Sequence, residues 1–171
     1  MQRFVCTAVI ALLAIGSLFA QEKTRPVLRV SCTADKPIYA ASDTVNLTVT
    51  LENAGPSDFY IYRTVEWGWA GIWFRLIDAS GNTVRPWEHH MPPPPPPPVD
   101  KSQLVGLVPG YFFGTHLPFD LSRFVLRPGV YVIEVSYQSI ISKDAGFGLP
   151  VLTVADGTFL GNKVQVEVRS K

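Results

Sequence analysis

Residues 118–137 constrain the fold of this chain most strongly, because they form two apolar runs joined by Arg127-Pro128-Gly129. In the second run large apolar or aromatic residues recur at every second position, which places four of them on one face: Tyr131, Ile133, Val135 and Tyr137. Strict alternation over this length predicts a β-strand rather than a helix. Because proline presets φ and glycine tolerates positive φ, Pro128-Gly129 predicts a turn between the two runs.

The two-residue period recurs along the chain, and beyond one turn at residues 121–124 no segment has a helical period. Residues 45–52 direct four apolar side chains towards a core, namely Val45, Leu47, Val49 and Leu51. The last strand, within residues 158–169, places Val164, Val166 and Val168 on one face. Further strands are predicted at residues 27–33, 59–63, 72–78, 83–87 and 103–108, the last ended by a turn signal at Pro109-Gly110, with a short one allowed at 151–154; residues 111–116 are ambiguous. Residues 53–56 predict the turn after the strand at 45–52. Short strands separated by turns predict an all-β fold.

Two motifs resemble immunoglobulin-like domains. The order Arg127-Pro128-Gly129-Val130-Tyr131, set between apolar runs, is similar to the corner between strands E and F of such domains. Lys36-Pro37-Ile38-Tyr39, followed by the alternating residues 45–53, is similar to the A-to-B region of bacterial surface domains of this type. The resemblance covers residues 27–169 and implies an immunoglobulin-like antiparallel β-sandwich of about 7–9 strands. It also implies that Tyr131 is structural, with a buried ring and a hydroxyl bonded to the backbone upstream.

The first 20 residues predict a cleaved secretory signal. Arg3 precedes an apolar segment at residues 4–15, and small residues lead to a cleavage site after Ala20; the alternative is an uncleaved membrane anchor. The remaining residues 21–171 are predicted to form one domain, located in the periplasm or secreted. After cleavage no apolar segment approaches the length of a membrane span.

Charge and cysteine content exclude several classes of protein. Apolar residues make up 47% of the chain, which is too many for a globally disordered protein. Removing Arg3 with the signal leaves 14 basic and 14 acidic residues without a basic stripe, so a nucleic-acid partner is not expected. Cys32 is then the one remaining cysteine and cannot form an internal disulfide. It shares a predicted strand face with Leu28 and Val30 and is interpreted as a core residue, with a reactive thiol as the alternative.

Candidate functional residues lie in two predicted loops, residues 64–71 and 88–102. Trp67 and Trp69, flanked by glycine, together with Trp87 are candidate ligand-binding residues that could stack on sugar rings. Trp73 and Trp87 lie in predicted strands, so the alternative for both is a place in the core or at its rim.

The second loop, residues 88–102, carries a possible metal site and a proline run. His89 and His90 are candidate ligands for copper or zinc, although adjacent residues of an extended chain point to opposite sides. Residues 92–98 are seven prolines, which predict an exposed polyproline II segment. This segment is either a stiff spacer or a docking site for a partner.

No catalytic motif is found, so the chain is predicted to be a binding or interaction module without catalytic activity and without a cofactor. Its expected partner is a protein or polysaccharide of the cell envelope. The alternatives are a proteinase inhibitor that acts through exposed loops and a carbohydrate-binding module that uses the loop tryptophans.

Overall fold

The computed structural model describes residues 26–67, 71–85 and 100–170, and these residues form an all-β structure. The strands are β1 (Leu28–Ala34), β2 (Ile38–Ala40), β3 (Thr44–Asn53), β4 (Phe59–Tyr62), β5 (Glu66–Trp67), β6 (Gly71–Ile77), β7 (Thr83–Val84), β8 (Leu104–Leu107), β9 (Phe112–Asp120), β10 (Gly129–Gln138) and β11 (Thr158–Arg169). One-turn 3-10 helices lie at Lys101–Gln103, Leu121–Arg123 and Val154–Asp156.

The strands follow the order β5-β6-β10-β11-β1-β3-β9, with β2 also beside β11 and β7 also beside β6. β4 and β8 form a separate antiparallel pair. Most neighbours are antiparallel, whereas β11 pairs in parallel with both β1 and β2, and β5 pairs in parallel with β6. β1 meets β11 at a single pair of residues, Val30 and Gly161, so two groups of strands, β1-β3-β9 and β6-β10-β11, are joined by a narrow seam.

Side-chain hydrogen bonds complete this seam. Asn162 accepts a hydrogen bond from the Cys32 amide at 2.6 Å and donates one to the Cys32 carbonyl oxygen at 2.9 Å. The Asn162 amide thus replaces two bonds of a backbone ladder. Gly161 is required beside it, because an added Cβ would overlap Val135 Cγ1 and lie 3.1 Å from the Val30 carbonyl oxygen.

The buried core follows the predicted alternation. In β3 the predicted core residues are at most 1% exposed, and these are Val45, Leu47, Val49 and Leu51. The four predicted residues of β10 are also buried, and Val166 and Val168 of β11 join them. The core is continuous between the two groups of strands, since the rings of Phe74 in β6 and Phe119 in β9 meet edge to face with centroids 5.7 Å apart.

Tyr131 forms the corner between β9 and β10. Its ring is 8% exposed, and its hydroxyl donates a hydrogen bond to the Arg127 carbonyl oxygen at 2.8 Å. The same hydroxyl accepts a hydrogen bond from the Arg127 amide at 3.2 Å. Pro128 and Gly129 are exposed at the turn, and Gly129 begins β10. This is the geometry that the resemblance implies for Tyr131.

The structure decides three points that the sequence left open. Trp73, expected in the core or at its rim, is 46% exposed, because Ile72 and Leu76 occupy the buried face of β6 and Trp73 takes the opposite one. The ambiguous residues 111–116 lie mostly in β9, which pairs with β3 along its whole length. Residues 151–154 form a single bridge from Val151 to Tyr60 and enter a 3-10 helix instead of a strand.

Replacing Tyr131 with phenylalanine should lower the free energy of unfolding by about 1 kcal/mol, because the Arg127 carbonyl oxygen and amide lose their hydroxyl partner. Urea denaturation measures the change. The control is Tyr111→Phe, whose side chain is 67% exposed and should change stability by less than about 0.5 kcal/mol. Equal effects of the two substitutions would show that the corner bond contributes nothing.

Candidate functional site

Most of the predicted ligand-binding and metal-binding residues lie outside the described residues: Trp69, Trp87, His89, His90 and the proline run at residues 92–98. Trp67 is in β5, where its backbone is in register with Ile72 of β6. Among the described residues there is no group of three or more histidine, cysteine or acidic side chains placed to hold a metal ion. In the same part of the chain no helix is both long and apolar enough to cross a membrane.

Cys32 is 2% exposed in β1, on the core face that its sequence pattern predicts. Burial raises the pKa of its thiol to about 11, because the thiolate loses hydration in the core. Since the thiolate is the nucleophilic form, the position favours a packing role over the reactive-thiol alternative.

The described residues expose an apolar cluster at the connection between β8 and β9. We call residues 108–112 the aromatic turn. Within it Val108 is 40%, Tyr111 67% and Phe112 69% exposed. The Tyr111 amide donates a hydrogen bond to the Val108 carbonyl oxygen at 3.0 Å, which closes a four-residue turn. Pro109 and Gly110, with φ of 78° at Gly110, occupy the central positions that these residue types favour in a type II turn.

Asn53, the last residue of β3, joins its backbone to this turn. Its amide donates a hydrogen bond to the Tyr111 carbonyl oxygen at 3.0 Å, and its carbonyl oxygen accepts one from the Gly110 amide at 2.8 Å. These two bonds extend the β3–β9 pairing into the turn. The tip of the turn is therefore attached to the sheet.

The Asn53 side chain is fully buried, and it forms hydrogen bonds with the main chain of the loop after β3 and of the end of β8. Nδ2 donates hydrogen bonds to the carbonyl oxygens of Leu107, at 2.7 Å, and Ser57, at 2.9 Å. Oδ1 accepts a hydrogen bond from the Gly55 amide at 2.9 Å. Both N–H groups of the Asn53 side-chain amide donate a hydrogen bond. Leu107, which precedes the aromatic turn, is therefore held in place together with the turn.

The surroundings of the aromatic turn carry little net charge. Glu52 is opposite Phe112 in the β3–β9 register and forms an ion pair with Arg29, whose Nη1 lies 2.9 and 3.0 Å from the two carboxylate oxygens. The turn itself contains no acidic, basic or histidine side chain. Such a surface offers apolar and aromatic contacts rather than acid–base chemistry.

A second exposed feature lies on the outward face of β6, β10 and β11. Trp73 is opposite Ser136, which is opposite Leu160, a residue 81% exposed. The neighbouring row is ionic: Glu134 pairs with Arg75 on one side and, at 2.6 Å, with Lys163 on the other. Hydrogen bonds from Lys163 and Arg75 lower the pKa of the Glu134 carboxyl.

Sequence reasoning missed the aromatic turn as a site. Pro109-Gly110 was a visible turn signal, and Tyr111 and Phe112 were visible as aromatic residues. Their exposure, however, depends on the buried bonds of Asn53, which join residues 54 positions apart in the chain. The periodicity of neighbouring residues contains no signal for a contact at that separation.

Comparisons with known proteins give no family for this chain: no family model matches it, and neither does any curated protein. Among solved structures it is similar to a β-glucosidase from Erythrobacter marinus, with a TM-score of 0.43, 11% identity and coverage of 84% of this chain and 16% of that one. It is also similar to a β-glucosidase from Listeria innocua, with a TM-score of 0.44, 12% identity and coverage of 84% and 16%. A CARDB domain from Pyrococcus furiosus, in complex with di-metal ions, gives a TM-score of 0.39, 12% identity and coverage of 85% and 90%. At these TM-scores the similarities carry no functional conclusion.

Replacing Asn53 with aspartate should destabilise the protein by about 3 kcal/mol at neutral pH, because an ionised carboxylate cannot donate to the Leu107 and Ser57 carbonyl oxygens. Burial raises the folded-state pKa of the introduced carboxyl above its unfolded value. The loss relative to wild type should therefore be smallest near pH 4 and grow as the pH rises to about 7.

Urea denaturation at both pH values measures this effect, and Gln165→Glu on the exposed side of β11 is the control for the change in charge. A penalty of the same size at the two pH values would contradict the assigned bonding of the Asn53 side chain.

Proposed function

We propose that this chain is a non-catalytic interaction module with an immunoglobulin-like β-sandwich fold, and that it binds a protein partner of the cell envelope through the aromatic turn. The observation that carries the proposal is the exposure of Tyr111 and Phe112 on a turn whose main chain is held by the buried Asn53. The predicted signal at residues 1–20 lies outside the described residues, and export remains part of the proposal.

The strand order supports the immunoglobulin-like part of the proposal. β1 pairs with β3, and the following short strand β2 pairs in parallel with β11, so the first strand region contributes to both groups of strands. β9 and β10 belong to different groups, and Tyr131 forms the corner between them. A tyrosine at this corner is typical of immunoglobulin-like sandwiches.

The physical properties of the turn favour protein binding. Tyrosine and other aromatic residues are enriched among the residues that dominate binding energy at protein interfaces. A turn that is already ordered loses little conformational entropy on binding, so more of the contact energy contributes to affinity. Pro109 and the hydrogen bonds from Asn53 supply this order here.

Capture of partners from envelope extract tests the proposal. Immobilised wild-type protein should retain at least one protein that Tyr111→Ala binds about tenfold more weakly, which corresponds to 1.4 kcal/mol of binding energy. Val125→Ala is the matched control, because Val125 is 80% exposed and lies outside the aromatic turn. The proposal is wrong if wild type captures nothing, or if Tyr111→Ala captures the same proteins equally well. Inhibition of a subtilisin-like proteinase in parallel identifies the inhibitor alternative.

Carbohydrate binding is a second candidate function, and the exposure of Trp73 favours it. The indole can pack against the apolar face of a sugar ring, while Ser136 and the Arg75–Glu134 ion pair beside it can hydrogen-bond to hydroxyl groups. This site is on the outward face of β6, β10 and β11 and shares no residue with the aromatic turn.

Retention on insoluble cellulose, chitin and peptidoglycan tests this second candidate. We expect Trp73→Ala to reduce retention at least about tenfold, since one stacked aromatic ring supplies most of the apolar contact. Leu160→Ala, on the same face, is the control and should reduce retention less. If the wild-type protein binds none of the three polysaccharides, carbohydrate binding is ruled out for them.

A further inference from the structure

β9 lies at one end of the strand order and, within the described ranges, pairs only with β3. It has nine residues, whereas β5, at the opposite end of the order, has two. A strand at the edge of a sheet presents a row of unpaired amide and carbonyl groups to any extended chain that approaches it. The long edge of β9 is therefore a surface on which a further strand can be added.

Residues 112–117 of this edge lack the usual protection against such pairing. Edge strands of monomeric proteins commonly carry proline or charged side chains that prevent pairing with another chain. The sequence from Phe112 to Leu117 contains neither, and Pro118 and Asp120 come after it. The exposed Phe112, which is 69% accessible, lies at the start of the unprotected stretch.

A glycine lies midway between the two outward-facing side chains of this stretch. Phe112 and His116 lie two residues before and two residues after Gly114, and all three are exposed. In an antiparallel pair of identical strands centred on Gly114, each Phe112 is opposite His116 of the other copy. Cross-strand aromatic pairs of this kind stabilise antiparallel sheets. We propose that a second copy of this chain binds at β9, with the two Gly114 residues opposite each other.

The space around Gly114 and the charges near β9 are compatible with pairing in this register. A Cβ added at Gly114 would find as its nearest neighbour the Val49 carbonyl oxygen at 3.8 Å, so the outward side of the glycine is open. Residues 112–119 contain no carboxylate, lysine or arginine side chain, and the imidazole Nδ1 of His116 lies 3.0 Å from Thr48 Oγ1. The nearby Arg29 and Glu52 neutralise each other. In this register Pro118 is opposite Gly110 of the second copy, beyond the paired residues, so its missing amide costs no bond.

The dimer has a consequence for binding. With Gly114 at its centre, it places the two Tyr111 residues six positions apart along the joined strands, about 20 Å at 3.4 Å per residue. A partner with repeated sites would then be held by two turns at once, which raises apparent affinity without new contacts. The inference goes beyond the proposed function and does not depend on it.

Cysteine cross-linking tests the register directly. Opposite Cα atoms in an antiparallel pair lie about 4.5–5.5 Å apart, within the range that a disulfide spans. In a Cys6→Ser background, the purified Gly114→Cys protein should form a disulfide-linked dimer under mild oxidation, while the buried Cys32 does not react. Leu160→Cys, which is 81% exposed but not at the β9 edge, is the control and should remain largely uncross-linked. Equal cross-linking of the two variants, or none in Gly114→Cys, overturns the proposal.

Sedimentation velocity over a range of concentrations supplies a second, independent measurement. Wild type should associate to a dimer, and Phe112→Lys combined with His116→Lys should weaken association at least about tenfold by placing like charges opposite each other. The corresponding double glutamate variant should also be weakened, and mixing the two variants should restore dimers. A wild-type protein that stays monomeric, or a mixture that stays monomeric, contradicts the pairing. Phe112 belongs to the aromatic turn, so partner capture is not measured with these variants. The Tyr111→Ala protein, which leaves residues 112–117 unchanged, remains a separate test of the proposed function.

Discussion

The rest of the structure depends on the hydrogen bonds between Asn162 and Cys32. β1 meets β11 at one pair of residues, which is too few for a backbone ladder to hold two groups of strands together. The Asn162 side chain satisfies both the amide and the carbonyl oxygen of Cys32, and Gly161 lets the strands approach. Buried main-chain groups left without a partner are costly, so this amide both closes the seam and keeps Cys32 in the core.

The sequence predicted the interior of the longest strands well, because alternation is a local property of each strand. From residue 45 to 51 in β3 and from residue 131 to 137 in β10 every second side chain is apolar or aromatic, so the core face could be assigned before any contact was known. In β6 the sequence did not decide between the core and its rim for Trp73, because Ile72 and Trp73 are both large and apolar. Packing on the core side, where Phe74 meets Phe119, decides which face is buried. β9 was ambiguous for the same reason, since Phe112 and Phe113 are adjacent and only one can face the core.

The candidate site was less predictable than the fold, and the reason is physical. Asn53 was visible as the first residue of a turn, and in a turn an asparagine usually bonds its own backbone two residues on. It does so with the Gly55 amide, but it also bonds Leu107, which no local pattern indicates. A buried polar residue is determined by the whole set of partners that surround it. The sequence therefore predicted a turn at Pro109-Gly110 without predicting that its aromatic residues would be presented to solvent.

The bonding of Asn53 separates the shape of the aromatic turn from its chemistry. Each of its hydrogen bonds ends on a main-chain atom, so these bonds do not depend on the side chains at positions 108, 111 and 112, while Pro109 and Gly110 favour the turn conformation itself. Positions 108, 111 and 112 are therefore open to substitution by selection or by engineering while the backbone keeps its course. The side chains at these three positions can therefore differ while the fold stays the same, whereas a substitution of Asn53 removes the bonds that hold the turn.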